Sequence, residues 1–185
     1  MNRQRLIIMI EVAVMAGLAL VLSFVKFGAL WAMGGSISLV MVPIFILAYR
    51  RGLKVGLLTG LLVGLLGLVT GATIVHPVQL VLDYPLAYSV LGVAGIFAAK
   101  RVQAIPTLVM MITGLVLATT LRFLSHFSSG IIWFGQYAPD GMNPVIYSAL
   151  YNLSYLLPEM VITLAVMLFL AKSYPQFFKP NTRVR

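Results

Sequence analysis

Charge is what this sequence has least of. Only four acidic residues occur in 185, and Asp, Glu, Lys and Arg together make up 9%. A soluble domain carries about a quarter charged residues, so this inventory could not cover a water-facing surface. Cysteine is absent, which excludes disulfides and thiolate metal sites. There is no G-x-x-x-x-G-K-[ST] phosphate loop, so ATP is not hydrolysed by that route, and there is no H-E-x-x-H zinc motif. Ser36 follows Gly34-Gly35, but no nucleophile–base signature accompanies it. An enzyme is therefore not expected, and no cofactor is called for.

What is present is apolar: 61% of the residues are hydrophobic. A helix needs about 20 such residues to span the hydrocarbon core, and six segments qualify, at roughly 5–25, 36–50, 53–74, 77–99, 104–125 and 144–172. The first is too long for the apolar core of a cleaved signal and lacks a convincing cleavage site, so it reads as the first span. Pro43 inside the second argues for a kink. The expected fold is an all-α integral membrane protein, a single domain of six helices in lipid.

The net charge of +9 would suggest nucleic acid in a soluble chain. Here the basic residues sit in clusters between apolar runs. Arg3, Arg5, Arg50, Arg51, Lys54, Lys100, Arg101, Lys172, Lys179, Arg183 and Arg185 all fall on one side of a six-span chain. The positive-inside rule places that side, with both termini, in the cytoplasm. Lys26 lies in an opposite connection, and Arg122 is read near the outer end of helix five. The external connections are the longer ones, Lys26–Gly35 with Trp31 and His126–Asn143 with Trp133. Long loops in compact folds are often functional, so recognition is expected outside the cell.

Helix three carries Gly52, Gly56, Gly60 and Gly64 at four-residue spacing, a face that lets another helix approach closely. Internal packing is the expected use. Ala13 and Gly17 repeat the small-residue spacing on helix one, where internal packing and docking of another protein are both open.

Ionisable groups within spans are costly and need an explanation. Asp83 lies six residues into helix four, ~9 Å from its outer end at ~1.5 Å per residue. Either Arg122 or Lys26 pairs with it internally, or its partner is a ligand. Arg122 and His126, four apart, share a helix face. His76, before Pro77, reads as an interfacial cap. Tyr147, Tyr151 and Tyr155 form one stripe on helix six with Asn152 beside it. Each tyrosine alone would suit a membrane belt. Together with Trp31, Trp133, His126 and Asp83 they converge on the outer end. Aromatic faces and a carboxylate there suit a flat heteroaromatic cation, and suit a sugar phosphate or a metal poorly. Glu11 and Glu159 are expected to make internal polar contacts or a partner interface, with proton coupling as the alternative.

The strings FGALWAMGGSISLVMVPIF, LVLDYPLAY and LSHFSSGIIWFGQYAPDGMNPVIYSALYNLSYLLPE resemble the thiamine-specific S-component of bacterial energy-coupling-factor (ECF) transporters, over nearly the whole chain. The resemblance implies an S-component fold in the cell membrane that captures thiamine near the outer surface, in partnership with a transmembrane T-component and two cytoplasmic ATPases. It implies that Trp31 lies on a lid segment, and that Asp83-Tyr84 hold the pyrimidine end, where some relatives carry glutamate. His126 and Trp133 match the pair around the thiazolium, Tyr147 and Asn152 the polar contacts of the last helix, and Arg122 a basic position near the hydroxyethyl end. A docking motif of two alanines four apart appears here as Ala13 and Gly17. The rival reading is a stand-alone proton-coupled transporter of organic cations using Asp83, Glu11 and Glu159.

Overall fold

The computed structural model describes residues 3–27, 34–98 and 107–179. Among them six long helical stretches carry the fold: α1 (Arg3–Ser23), α2 (Met41–Arg51), α3 (Leu53–Val69), α4 (Pro77–Phe97), α5 (Leu108–Trp133) and α6 (Pro144–Ser173). No strand occurs among these residues, and α1, α4, α5 and α6 are each long and apolar enough to cross a membrane. The helix starts follow local chemistry. His76 and Asn143 accept from the backbone N–H two residues on, each followed by proline at the first helical position, and Thr107 accepts from Met110. Proline there loses no hydrogen bond and has its φ preset.

Helix α2 is shorter than the segment 36–50 suggested. Its 11 residues cover ~16 Å, about half a bilayer core. Every residue from Met41 to Tyr49 is buried, which explains why it is apolar on all sides. The kink expected at Pro43 does not arise, because the helix begins at Met41 and Pro43 falls in its first turn. The N–H groups there have no intrahelical acceptor to lose. A single residue, Gly52, turns the chain from α2 into α3, with φ of 88° that only glycine adopts at little cost.

The glycine face of α3 is spent inside the molecule. A Cβ on Gly60 would collide with the Tyr88 carbonyl, one on Gly64 with the Tyr84 carbonyl, and one on Gly56 would lie 2.9 Å from the Cα of Gly92. Helices α3 and α4 thus meet backbone to backbone. In lipid, close packing of this kind must supply the association that hydrophobic burial supplies in water.

Helix α4 is irregular where it matters. An α-helical turn, Pro77–Val81, gives way to a π-helical turn at Leu82–Leu86 and ends as a 3-10 stretch, Val90–Phe97. Pro85 sits inside the π turn and cannot donate to the preceding turn. The carbonyl of Leu82, in the same turn, accepts from Ser125 Oγ of α5 at 2.6 Å, the kind of contact by which neighbouring hydroxyls satisfy irregular backbone in membrane helices.

Helix α5 runs two turns beyond its expected end at 125. His126 and Trp133 therefore stand on a helix, not in a loop. Arg122 is the fifteenth of 26 residues and Glu159 the sixteenth of 30, so both lie at mid-span, and Arg122 is not near the outer end of its helix.

Candidate functional site

Asp83, on the π turn, faces a cavity of about 770 Å³ including its open mouth, bounded by α4, α5, α6 and the segment Gly34–Ser36. Its carboxylate pairs with neither Arg122 nor Lys26. Oδ2 accepts from Gln79 Nε2 at 2.7 Å and from Ser129 Oγ at 2.7 Å, and Oδ1 lies 3.1 Å from His126 Nδ1. A carboxylate offers about four acceptor positions. Three protein donors hold it in one orientation and leave it capacity for one more.

The protonation of His126 follows from its neighbours. Arg122 Nε, which can only donate, lies 3.4 Å from His126 Nε2. Nε2 therefore accepts, the ring proton sits on Nδ1, and Nδ1–H donates to Asp83. Arg122 is 4% exposed and Glu159 0%. The guanidinium donates to Glu159 Oε2 at 3.0 Å and to the Tyr88 hydroxyl at 3.4 Å, and lies 4.5 Å from the Tyr88 ring centroid. Glu159 also accepts from Ser38 Oγ at 3.0 Å. Two carboxylates thus stand against one guanidinium around a neutral histidine, a formal charge of minus one for the cluster. In a low-dielectric interior that charge calls for a cation.

The walls are aromatic. Tyr147, Tyr151 and Tyr155 all line the cavity, with successive ring centroids 5.7 and 6.2 Å apart. Tyr155 donates to Asn152 Oδ1 at 2.7 Å, and Asn152 Nδ2 donates to the Ser148 carbonyl at 2.9 Å. Tyr151 donates to the Gly34 carbonyl at 2.7 Å, tying α6 to the segment over the site. Gly34 and Gly35 have φ of 94° and 102°, which suits glycine alone. The Tyr84 hydroxyl accepts from Thr73 N at 2.9 Å.

The structure thus brings Asp83, Tyr84, Arg122, His126, Tyr147 and Asn152 to one cavity. Trp133 is not among the residues lining it. Its ring stacks on His76 instead, centroids 5.2 Å apart and 22° from parallel. His76 itself caps α4, accepting from Val78 N through Nδ1 at 3.1 Å. Trp31 lies outside the described residues. On α1, Val12, Ala16 and Ala19 face inward, whereas Ala13 is exposed and a Cβ on Gly17 would meet nothing within 4 Å. The Ala13–Gly17 face is not used for internal packing among the described residues.

Sequence reasoning missed Gln79, Ser129 and Tyr88. The signal was available for the first two, since Gln79 is four before Asp83 and Ser129 is three after His126, each on the face already singled out. Glu11 receives two hydrogen bonds from Arg51, at 2.7 and 2.8 Å, and lies 3.0 Å from Arg50. Glu11, Glu159 and Asp83 thus all have protein partners, so none stands ready as an unpaired proton carrier.

Comparison with known proteins adds an independent line. The model of the family described as thiamine transporter protein matches residues 9–179. The thiamine transporter ThiT of Bacillus subtilis is 36% identical over 191 residues, covering 98% of this chain and 99% of that protein. ThiT of Lacticaseibacillus paracasei is 27% identical over 187 residues, covering 96% and 92%. A solved structure of ThiT from Listeria monocytogenes superposes with a TM-score of 0.85 at 30% identity, covering 96% of this chain and 100% of that one. With the family model spanning nearly the whole chain, and the same architecture in a solved relative, this multi-pass membrane protein belongs to the thiamine transporter protein family.

Proposed function

We propose that the protein is the thiamine-binding S-component of an ECF-type importer, capturing thiamine at the outer side of the membrane. The observation that carries this reading is the charge of the cavity. A carboxylate oriented by three donors, in a cluster with one net negative charge and tyrosine walls, matches a flat heteroaromatic ligand with one positive charge. The thiazolium supplies that charge, and the aminopyrimidine supplies donors for the remaining acceptor capacity of Asp83. A desolvated cation against aromatic faces gains about 2 kcal/mol. In this reading Trp133 leaves His76 to cover the thiazolium. Arg122 acts through Glu159 and His126 and does not hold a ligand anion.

Energy for import would come from two cytoplasmic ATPases through a T-component, which would dock on the outward-turned Ala13–Gly17 face of α1. The chain's lack of a phosphate loop supports a division of labour of this kind.

Calorimetric titration of the purified protein with thiamine, riboflavin, biotin and a quaternary-ammonium drug tests the ligand. The expected result is one thiamine per chain and no heat from riboflavin or biotin. Binding of the drug as tightly as thiamine would overturn the assignment. Uptake into liposomes is expected only when T-component and ATPases are reconstituted with the chain, and uptake by the chain alone would favour the stand-alone transporter.

A further inference from the structure

We propose that Glu159, which does not reach the cavity, is the residue that makes the site select a cation. The inference rests on the thiamine-binding reading and concerns how that site obtains its charge preference.

Arg122 lines the cavity, and a guanidinium beside a binding site would ordinarily repel a positive ligand. Glu159 removes that repulsion from behind. It is fully buried, meets Arg122 Nη1 at 3.0 Å, and is itself held by Ser38 Oγ at 3.0 Å. With Arg122 neutralised, Asp83 is the net charge that a ligand meets. Lys26 lines a neighbouring chamber, not this cavity.

The same pairing sets geometry. Glu159 fixes one arm of the guanidinium and Tyr88 another, at 3.4 Å, which leaves Nε directed at His126 Nε2. That contact keeps the imidazole proton on Nδ1, where it donates to Asp83. A chain of contacts therefore runs from Ser38 through Glu159, Arg122 and His126 to Asp83. Ser38 stands one residue beyond Ile37, whose carbonyl accepts from Phe27 N at 2.8 Å to close the base of the first external connection. Glu159 is accordingly a positioning residue that also balances charge.

The test compares thiamine with a neutral isostere in which the thiazolium is replaced by a thiophene. The readout is the ratio of their dissociation constants, because a merely structural defect would weaken both ligands alike. Glu159→Gln keeps the shape and removes the charge, leaving Arg122 to oppose a cation. The preference for thiamine over the isostere is expected to fall by about tenfold or more, as for unit charges several ångströms apart in a protein interior. The double variant Arg122→Gln, Glu159→Gln restores one net negative charge and retains a donor toward His126. It is expected to recover most of the preference.

An unchanged ratio in Glu159→Gln, or no recovery in the double variant, overturns the proposal. If Glu159→Gln does not fold, the single variant Arg122→Gln decides. It leaves no cation behind Asp83, whether the buried Glu159 stays ionised or takes up a proton, so the preference should be no lower than in wild-type protein, and a lower ratio there refutes the inference. Wild-type protein that does not bind thiamine would instead overturn the underlying functional reading.

Discussion

Substituting Gly64 by alanine tests whether α3 holds the Asp83 turn in place through direct backbone contact. Two effects of opposite sign compete. Alanine is favoured over glycine within a helix by about 1 kcal/mol. Against this, the new methyl would collide with the Tyr84 carbonyl and lie 2.8 Å from the Cα of Pro85. Those are backbone atoms of the π turn and cannot rotate away. Overpacking of this kind costs about 1–3 kcal/mol, with the upper end expected where both sides are main chain. The net loss is therefore about 2 kcal/mol, or ~4–8 °C in melting temperature for a chain of this size.

Gly67 is the internal control. It lies three residues on in the same helix, and a Cβ there would sit 3.5 Å from Tyr84 Cδ1, an ordinary contact. Gly67→Ala should melt at or slightly above the wild-type temperature. The assay is thermal unfolding in detergent with and without thiamine. Gly64→Ala should also gain less from the ligand, because its displaced turn carries Asp83. A Gly64→Ala protein that melts at or above wild type would falsify the backbone-contact argument.

Further outcomes follow from the same geometry. Asp83→Asn replaces an acceptor oxygen by an NH2 facing the donors Gln79 and Ser129, and hydrogen bonds to charged groups are worth about 1.5–3 kcal/mol. Thiamine affinity should fall roughly 10- to 150-fold by titration, and a change below threefold would rule out a direct role. Trp133→Ala should weaken thiamine binding by about tenfold, the worth of one aromatic contact of ~1.4 kcal/mol; unaltered affinity would leave the indole with its His76 stack as its only role. Gly17→Leu fills open space on α1, so melting and thiamine affinity should match wild type, while uptake by the reconstituted importer should fall. Normal uptake would remove that face as the docking surface.

The helical plan was legible because its signals are one-dimensional. Apolar run length, clustered basic residues and the Pro-preceding cap at His76 are each written in consecutive residues. Where expectation and structure part, a three-dimensional fact intervened. Segment 36–50 looked like a span because hydropathy cannot tell a helix facing lipid from one enclosed by other helices. Met41–Tyr49 is buried on every side, so it satisfies the same composition at half the length. The end of α5 was misplaced because His126, Ser128 and Ser129 look like loop residues. Ser128 Oγ bonds the Leu124 carbonyl at 2.8 Å and Ser129 Oγ bonds Asp83, so these polar groups are satisfied without leaving the helix.

The members of the site were more legible than their pairing. Spacing alone put Arg122 and His126 on one face and made a row of Tyr147, Tyr151 and Tyr155. It could not say that Arg122 would turn to Glu159, 37 residues away, because Asp83 is equally available in composition. On the proposed reading, the choice decides the ligand's charge. Had Arg122 paired with Asp83, the cavity would have presented a neutral pair, and Glu159 would have been left buried without a counter-charge at a cost of several kcal/mol. Pairing Arg122 with the more deeply buried carboxylate avoids that cost. Asp83 is then held by Gln79, Ser129 and His126, none of which needs to be charged. On the proposed reading, a site built this way keeps its negative charge at the surface of the cavity, open to a cation that enters from outside the protein.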